Sequence, residues 1–394
     1  MRSLIFPLLV VVFVGCDARV EHFPTNDVYA LTLATSRGVG TQLAATDTSE
    51  VIESLFGTPE EPKWPAEMLD SAAAKSLIGP NVFARAAGPV YSDRDGNNFG
   101  LFNKHCVNCH ALSGSGTGAA SVFQNPYPRD FRAGIFKWKA TERNAKPTRD
   151  GLASVIHNGV AGTGMPSFAL LSESDWTVLT DYAIFLAVRG ETERKLMEAA
   201  VDDLDYADDL DSSEIAELTK LADSQELIRT TVNDVVESWL TADSHVVAVP
   251  KETDNDAESI KRGKDIFHGQ IANCVGCHGP GGNGSAVTLD YDDWSKEYSS
   301  RIGLTPTDRD AMKPFRKAGA HRPRQIRPRK LDEGVFRGGG DSATLYRRIS
   351  QGIAGTPMPS VQITAEESPT SLSSDQAWDV VHYLQSLKQT ADSE

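Results

Sequence analysis

Cysteine is scarce in this chain, with five residues in 394. Four form two Cys-x-x-Cys pairs, Cys106 with Cys109 and Cys274 with Cys277, and the fifth is Cys16. None is left for a disulfide framework or a catalytic thiol. Aromatic residues make up 8% and hydrophobic residues 40%, a balance that fits a soluble globular protein. Beyond residue 15 no apolar run is long enough to cross a bilayer. Positive charge is also short: 39 Lys and Arg against 54 Asp and Glu give a net charge of −15, so a phosphate backbone is repelled and nucleic acid is excluded as a partner. The same surplus keeps the chain soluble and steers it toward basic partners. The length allows two or three domains, each with its own core.

Each cysteine pair is followed at once by histidine, giving Cys106-Val107-Asn108-Cys109-His110 and Cys274-Val275-Gly276-Cys277-His278. This is the pattern that attaches a c-type haem: two thiols reach the two vinyl groups of one porphyrin, and the histidine sits under the iron. Zinc also uses paired Cys-x-x-Cys, yet nothing in zinc chemistry requires a histidine directly after both pairs. Two covalent haem c groups and their irons are therefore expected, and with them movement of electrons.

The rest of the chain repeats around these motifs. Pro128-Arg129-Asp130-Phe131-Arg132-Ala133-Gly134-Ile135-Phe136 follows the first, and Pro328-Arg329-Lys330-Leu331-Asp332-Glu333-Gly334-Val335-Phe336 the second. A short helix comes next in each half, starting near Thr148 and near Asp341 and stopping at Gly159 and Gly352. Then Gly159-Val160-Ala161-Gly162-Thr163-Gly164-Met165-Pro166-Ser167 matches Gly352-Ile353-Ala354-Gly355-Thr356-Pro357-Met358-Pro359-Ser360 at all positions but two. A capped amphipathic helix closes each half, opened by Ser172 and running to Leu186, or opened by Ser373 with Gln376 three residues on. The expected fold is mainly α: two helical haem domains, 91–190 and 257–394, joined by an acidic, partly helical insertion, 191–256. Within it 202–211 reads as a solvated charge run, whereas Leu227 to Leu240 falls on one helical face. Residues 16–90 read as an N-terminal extension, helical around Val51 to Phe56, with no chemistry of its own.

Residues 1–15 read as a targeting segment, with Arg2 ahead of an apolar stretch from Leu4 to Val14. Phe13-Val14-Gly15-Cys16 is similar to a bacterial lipobox, which makes Cys16 the expected lipidation site and places the protein in the cell envelope, lipid-anchored and facing the periplasm. Attachment of c-type haem on the outer side of the inner membrane agrees with that.

Met165 and Met358 are the expected sixth ligands. They occupy one place in the repeat, each followed by proline and preceded by glycine and threonine, so that a stiff loop approaches the iron closely. His/Met ligation raises the reduction potential and leaves no open position for a reactant. His105 and His268 are expected to face solvent or bond to backbone, and His157, His321 and His382 have no matching partner in the other half. Arg129 and Arg329, matched across the repeat, are candidates to pair with haem propionates. The basic tract from Lys313 to Lys330 is expected to run around the second haem and pair with propionates and the acidic insertion.

These motifs resemble class I cytochrome c domains, and the pairing is similar to di-haem c-type cytochromes of bacterial respiratory chains, over residues 91–190 and 257–390. The resemblance implies attachment and ligation by Cys106, Cys109, His110 and Met165 for one haem, and by Cys274, Cys277, His278 and Met358 for the other. It also implies a Gly-x-x-x-Phe contact between first and closing helices, which Gly263 and Phe267 match; the first half has Asn98 and Phe102. The expectation is an electron carrier, not an enzyme, exchanging electrons with a protein donor and acceptor or with a membrane respiratory complex. The alternatives are a tightly bound cytochrome subunit of an oxidase or dehydrogenase complex, or a di-haem peroxidase.

Overall fold

The computed structural model describes residues 21–391 except 211, 219, 286–288 and 366–367. About 47% of it is helical, and the strands are three two-residue pairs, so the fold is mainly α as expected. Eight helices carry the architecture: α1 (Asp27–Arg37), α2 (Gln42–Phe56), α3 (Arg149–Asn158), α4 (Glu173–Asp202), α5 (Gln225–Leu240), α6 (Ala257–His268), α7 (Ser342–Gln351) and α8 (Ser374–Ala391).

Their starts follow from capping chemistry. Thr148, Ser172, Asp256 and Asp341 each accept a backbone N–H from the first turn of α3, α4, α6 and α7. Ser373 and Gln376 form a reciprocal box, Gln376 Oε1 accepting from the Ser373 amide (2.9 Å) and Ser373 Oγ from the Gln376 amide (3.2 Å). Helices α3 and α7 stop at Gly159 and Gly352, at φ 67° and 64°, where a side chain would be strained.

Two main cores result. The larger joins the first repeat to the extension and to α5; Phe56 of α2 meets Phe185 of α4 edge-on at 6.0 Å, and Phe102 lies 5.1 Å from Tyr182 of α4. The smaller is built on Phe267, Leu345, Tyr346 and Trp378. There α6 and α8 pack so closely that a Cβ on Gly263 would lie 1.9 Å from the Asp379 carbonyl oxygen. The glycine anticipated at this crossing is what lets the helices touch.

Three features differ from the expectation. Helix α4 does not end near Leu186 but runs on to Asp202, through position 190. In that added length Arg189 and Glu193 pair in the interior at 3.0 Å, and Glu193 also accepts the Asn26 amide at 2.8 Å. Next, the extension is not confined to one helix; α1 and α2 both pack into the larger core. Finally, the acidic run is in part structural. Asp208 accepts the backbone N–H groups of Gln42 and Leu43, capping α2, and Asp202 holds Arg37 through two bonds of 2.8 and 2.6 Å.

Gly263→Ala tests the helix crossing. The added methyl meets backbone that cannot yield, so the second repeat should lose about 1–3 kcal/mol, read as a lower thermal midpoint. Gly281→Ala, which meets nothing within 4 Å, is the control and should leave the midpoint unchanged.

Candidate functional site

The two Cys-x-x-Cys-His segments fold as single helical turns, Val107–His110 and Cys274–His278. Each histidine is oriented by the same bond: His110 Nδ1 lies 3.0 Å from the carbonyl oxygen of Arg129, and His278 Nδ1 3.0 Å from that of Arg329. A carbonyl only accepts, so Nδ1 carries the proton and Nε2 is left with a lone pair. Burial pushes the His110 pKa down to about 4 and lowers that of His278 as well. Both imidazoles are thus held neutral, the form that binds a metal. Burial likewise pushes the thiols of Cys106 and Cys274 up, to about 12 and about 11.

Glycine-rich turns bring the carbonyls into place. Gly116 and Gly284, at φ 74° and 72°, donate back to the carbonyls of His110 and His278 at 3.0 and 2.8 Å. The amides of Phe131 and Leu331 bond to Gly114 and Gly282 at 2.7 and 2.6 Å. The methionine loops correspond in the same detail. The carbonyl of Met165 accepts from Val160 (3.1 Å) and that of Met358 from Ile353 (3.3 Å), while each methionine amide donates 3.2 Å to the hydroxyl of Thr163 or Thr356.

In the first repeat Cys106, Cys109, His110 and Met165 line one cavity of about 280 Å³. Its wall draws on distant segments: Tyr29 from α1, and Trp294 and His321 from the second repeat. Arg129 also lines it, stacked 3.5 Å over the Trp294 ring, and neither Nη atom of its buried guanidinium has a hydrogen-bond partner. Desolvation pushes its pKa down to about 9 against the pull of Asp292, Asp130 and Asp293. In the second repeat Cys274 packs on the smaller core and Cys277 is exposed.

A family model described as "Cytochrome c" matches residues 260–388, and one described as "Cytochrome C oxidase, cbb3-type, subunit III" matches residues 97–182. The chain is a di-haem c-type cytochrome. No curated protein matches it. Among solved structures it is similar to a chain of the "Kuenenia stuttgartiensis reducing HAO-like protein complex Kustc0457/Kustc0458", at 22% identity and a TM-score of 0.45, over 73% of this chain and 94% of that one.

The residues present fit two covalent haem c groups with their irons. A cavity edged by two half-buried thiols and a neutral imidazole suits a porphyrin, and an unpartnered buried guanidinium requires an anion such as a propionate. When bound, the haem supplies a one-electron iron couple, and this cytochrome transfers electrons through it. The chain's own part is to exclude water, orient Nε2 and offset negative charge.

Several secondary expectations need correction. Arg329 is not a twin of Arg129, for it donates to the Val335 carbonyl at 3.0 Å and to Glu333 at 2.8 Å. The basic tract reaches the first repeat instead of the insertion: Arg324 donates to the Gln124 carbonyl at 2.7 Å and His321 stacks 4.1 Å from Tyr127. His268 bonds to two backbone carbonyls as expected, but the Nε2 of His105 is buried without a partner, its ring edge-on to Phe168. The roofing by α1 went unread, although Asn26, whose side chain caps that helix, marked its start.

Arg129→Gln should lower the midpoint potential of the first haem, because removing a nearby cation disfavours the electron-rich ferrous state. The second haem should hold its value, as an optically monitored redox titration would read.

Proposed function

We propose that this cytochrome carries single electrons between redox partners on the outer side of the bacterial inner membrane, in a respiratory chain, with His110/Met165 and His278/Met358 as the axial pairs of its two irons. The observation that carries this reading is the bond-for-bond match of the two methionine loops. A core-filling methionine has no reason to repeat with its threonine hydroxyl, its carbonyl contact and its flanking proline. Sulfur on both far faces raises the potentials and leaves no place for peroxide, which favours a carrier over a di-haem peroxidase. Electron exchange then takes place with protein partners, free or assembled as a membrane complex.

In this reading Cys16, which lies outside the described residues, carries the lipid that holds the protein to the membrane, and residues 1–15 are removed. Stable anchoring needs more than one acyl chain.

Met165→Ala and Met358→Ala should each abolish the methionine-to-iron charge-transfer band of one haem and lower its potential, leaving the other haem intact. Wild-type spectra in both variants, or peroxide turnover by the native protein, would overturn the assignment. Cys16→Ser should move the mature protein from the membrane fraction to the soluble periplasmic fraction.

A further inference from the structure

The segment after Phe136 forms a strap that leaves the first repeat and lies against the second. Lys139 Nζ gathers the strap by donating to the carbonyls of Glu142 (2.6 Å), Arg143 (2.8 Å) and Ala145. The exit of the acidic insertion pins it from outside, with Val247 donating to Ala140 at 3.0 Å and Glu142 to His245 at 2.9 Å. Arg143 therefore projects from a fixed base. Its Nη1 donates to the carbonyl of Met358 at 3.0 Å and to that of Gln351 at 3.4 Å, and its Nη2 to that of Thr356 at 3.3 Å. Its backbone amide reaches Gln351 Oε1 at 3.4 Å. A Cβ on Gly352 would stand 2.6 Å from Nη1, so glycine is what admits the guanidinium to the loop.

Beside Gly355 the loop meets Trp294, whose six-membered ring edge would clash with a Cβ there, and the Asp293 amide donates to the Gly355 carbonyl at 3.4 Å. The Met358 loop is thus gripped between a guanidinium from one domain and an indole from its own. The first loop is held differently. Arg329 lies near Gly162, but its bonds go to Val335 and Glu333.

We propose that Arg143 is a positioning residue for the second iron site: from the first domain it clamps the loop carrying Met358, so the sixth ligand of the second haem is secured by its neighbour. This rests on the reading of Met358 as that ligand. Charge-assisted donors to three carbonyls restrict the loop's swing away from the iron, and loss of the clamp exposes the metal to competing ligands. The grip couples the two centres, since any shift of the first domain against the second reaches the Met358 sulfur.

The test uses the full-length, haem-loaded protein and imidazole as the competing ligand, following each haem's spectrum separately. Arg143→Gln should let imidazole displace the second haem's methionine at about tenfold lower concentration. It should also lower that haem's midpoint potential and leave the first haem unchanged. Arg143→Lys should restore part of the resistance, and carries the test if the glutamine variant does not accumulate. Met358→Ala is the reference, with the charge-transfer band absent from the start. If Met358→Ala alters the second haem while both Arg143 variants behave as wild type, the clamp is wrong and the ligand reading stands. If Met358→Ala leaves the second haem as it was, both are overturned.

Discussion

Each iron site depends on one hydrogen bond, from a histidine Nδ1–H to the backbone oxygen of an arginine. It fixes the tautomer, turns the lone pair of Nε2 toward the cavity and ties the Cys-x-x-Cys-His turn to the chain that folds beneath it. The glycine turns at positive φ exist to deliver that carbonyl. The arginine supplies the carbonyl from its backbone, so its side chain is free for a second task, and the two repeats use it differently. Arg129 is buried over Trp294 with its donors unsatisfied, whereas Arg329 is spent on Val335 and Glu333. One ancestral site has become two with different electrostatic surroundings.

The contact between the repeats is polar and specific. Arg143 enters one methionine loop, Arg324 and His321 reach the first haem domain, and Trp294 lies under Arg129 while its ring edge meets Gly355. The two domains are neither beads on a string nor fused by one core: the two main apolar clusters stay separate, and a small third one joins Val28 and Leu31 of α1 to Tyr298, Met312 and Phe315. Directional bonds to loop carbonyls, with that cluster and the Arg194–Glu297 pair, fix their relation, which suits centres whose properties depend on small displacements.

Much of this was legible in the chain. The cysteine motifs, capping residues, helix-stopping glycines and duplicated methionine loops are local signals, and local chemistry decides them. What escaped reading is set by distant partners. Arg189 and Glu193 lie past the expected end of their helix near Leu186, and only the fold shows that they neutralise each other inside. Asp208 looks solvated until the bare start of α2 is placed against it. Arg143 sits in a stretch with no periodicity, and only the fold brings it to residues more than two hundred positions away. The matching of Arg129 with Arg329 misled because a repeat preserves backbone roles more faithfully than side-chain partners.

The wall of the first cavity is drawn from three stretches of chain: α1, the first repeat, and the loops around Trp294 and His321. No one of them closes it alone. A group seated in that space touches all three at once, so a displacement of the loops around Trp294 and His321 alters the surroundings of the first site. The C-terminal half thus helps shape a pocket whose thiols belong to the N-terminal half.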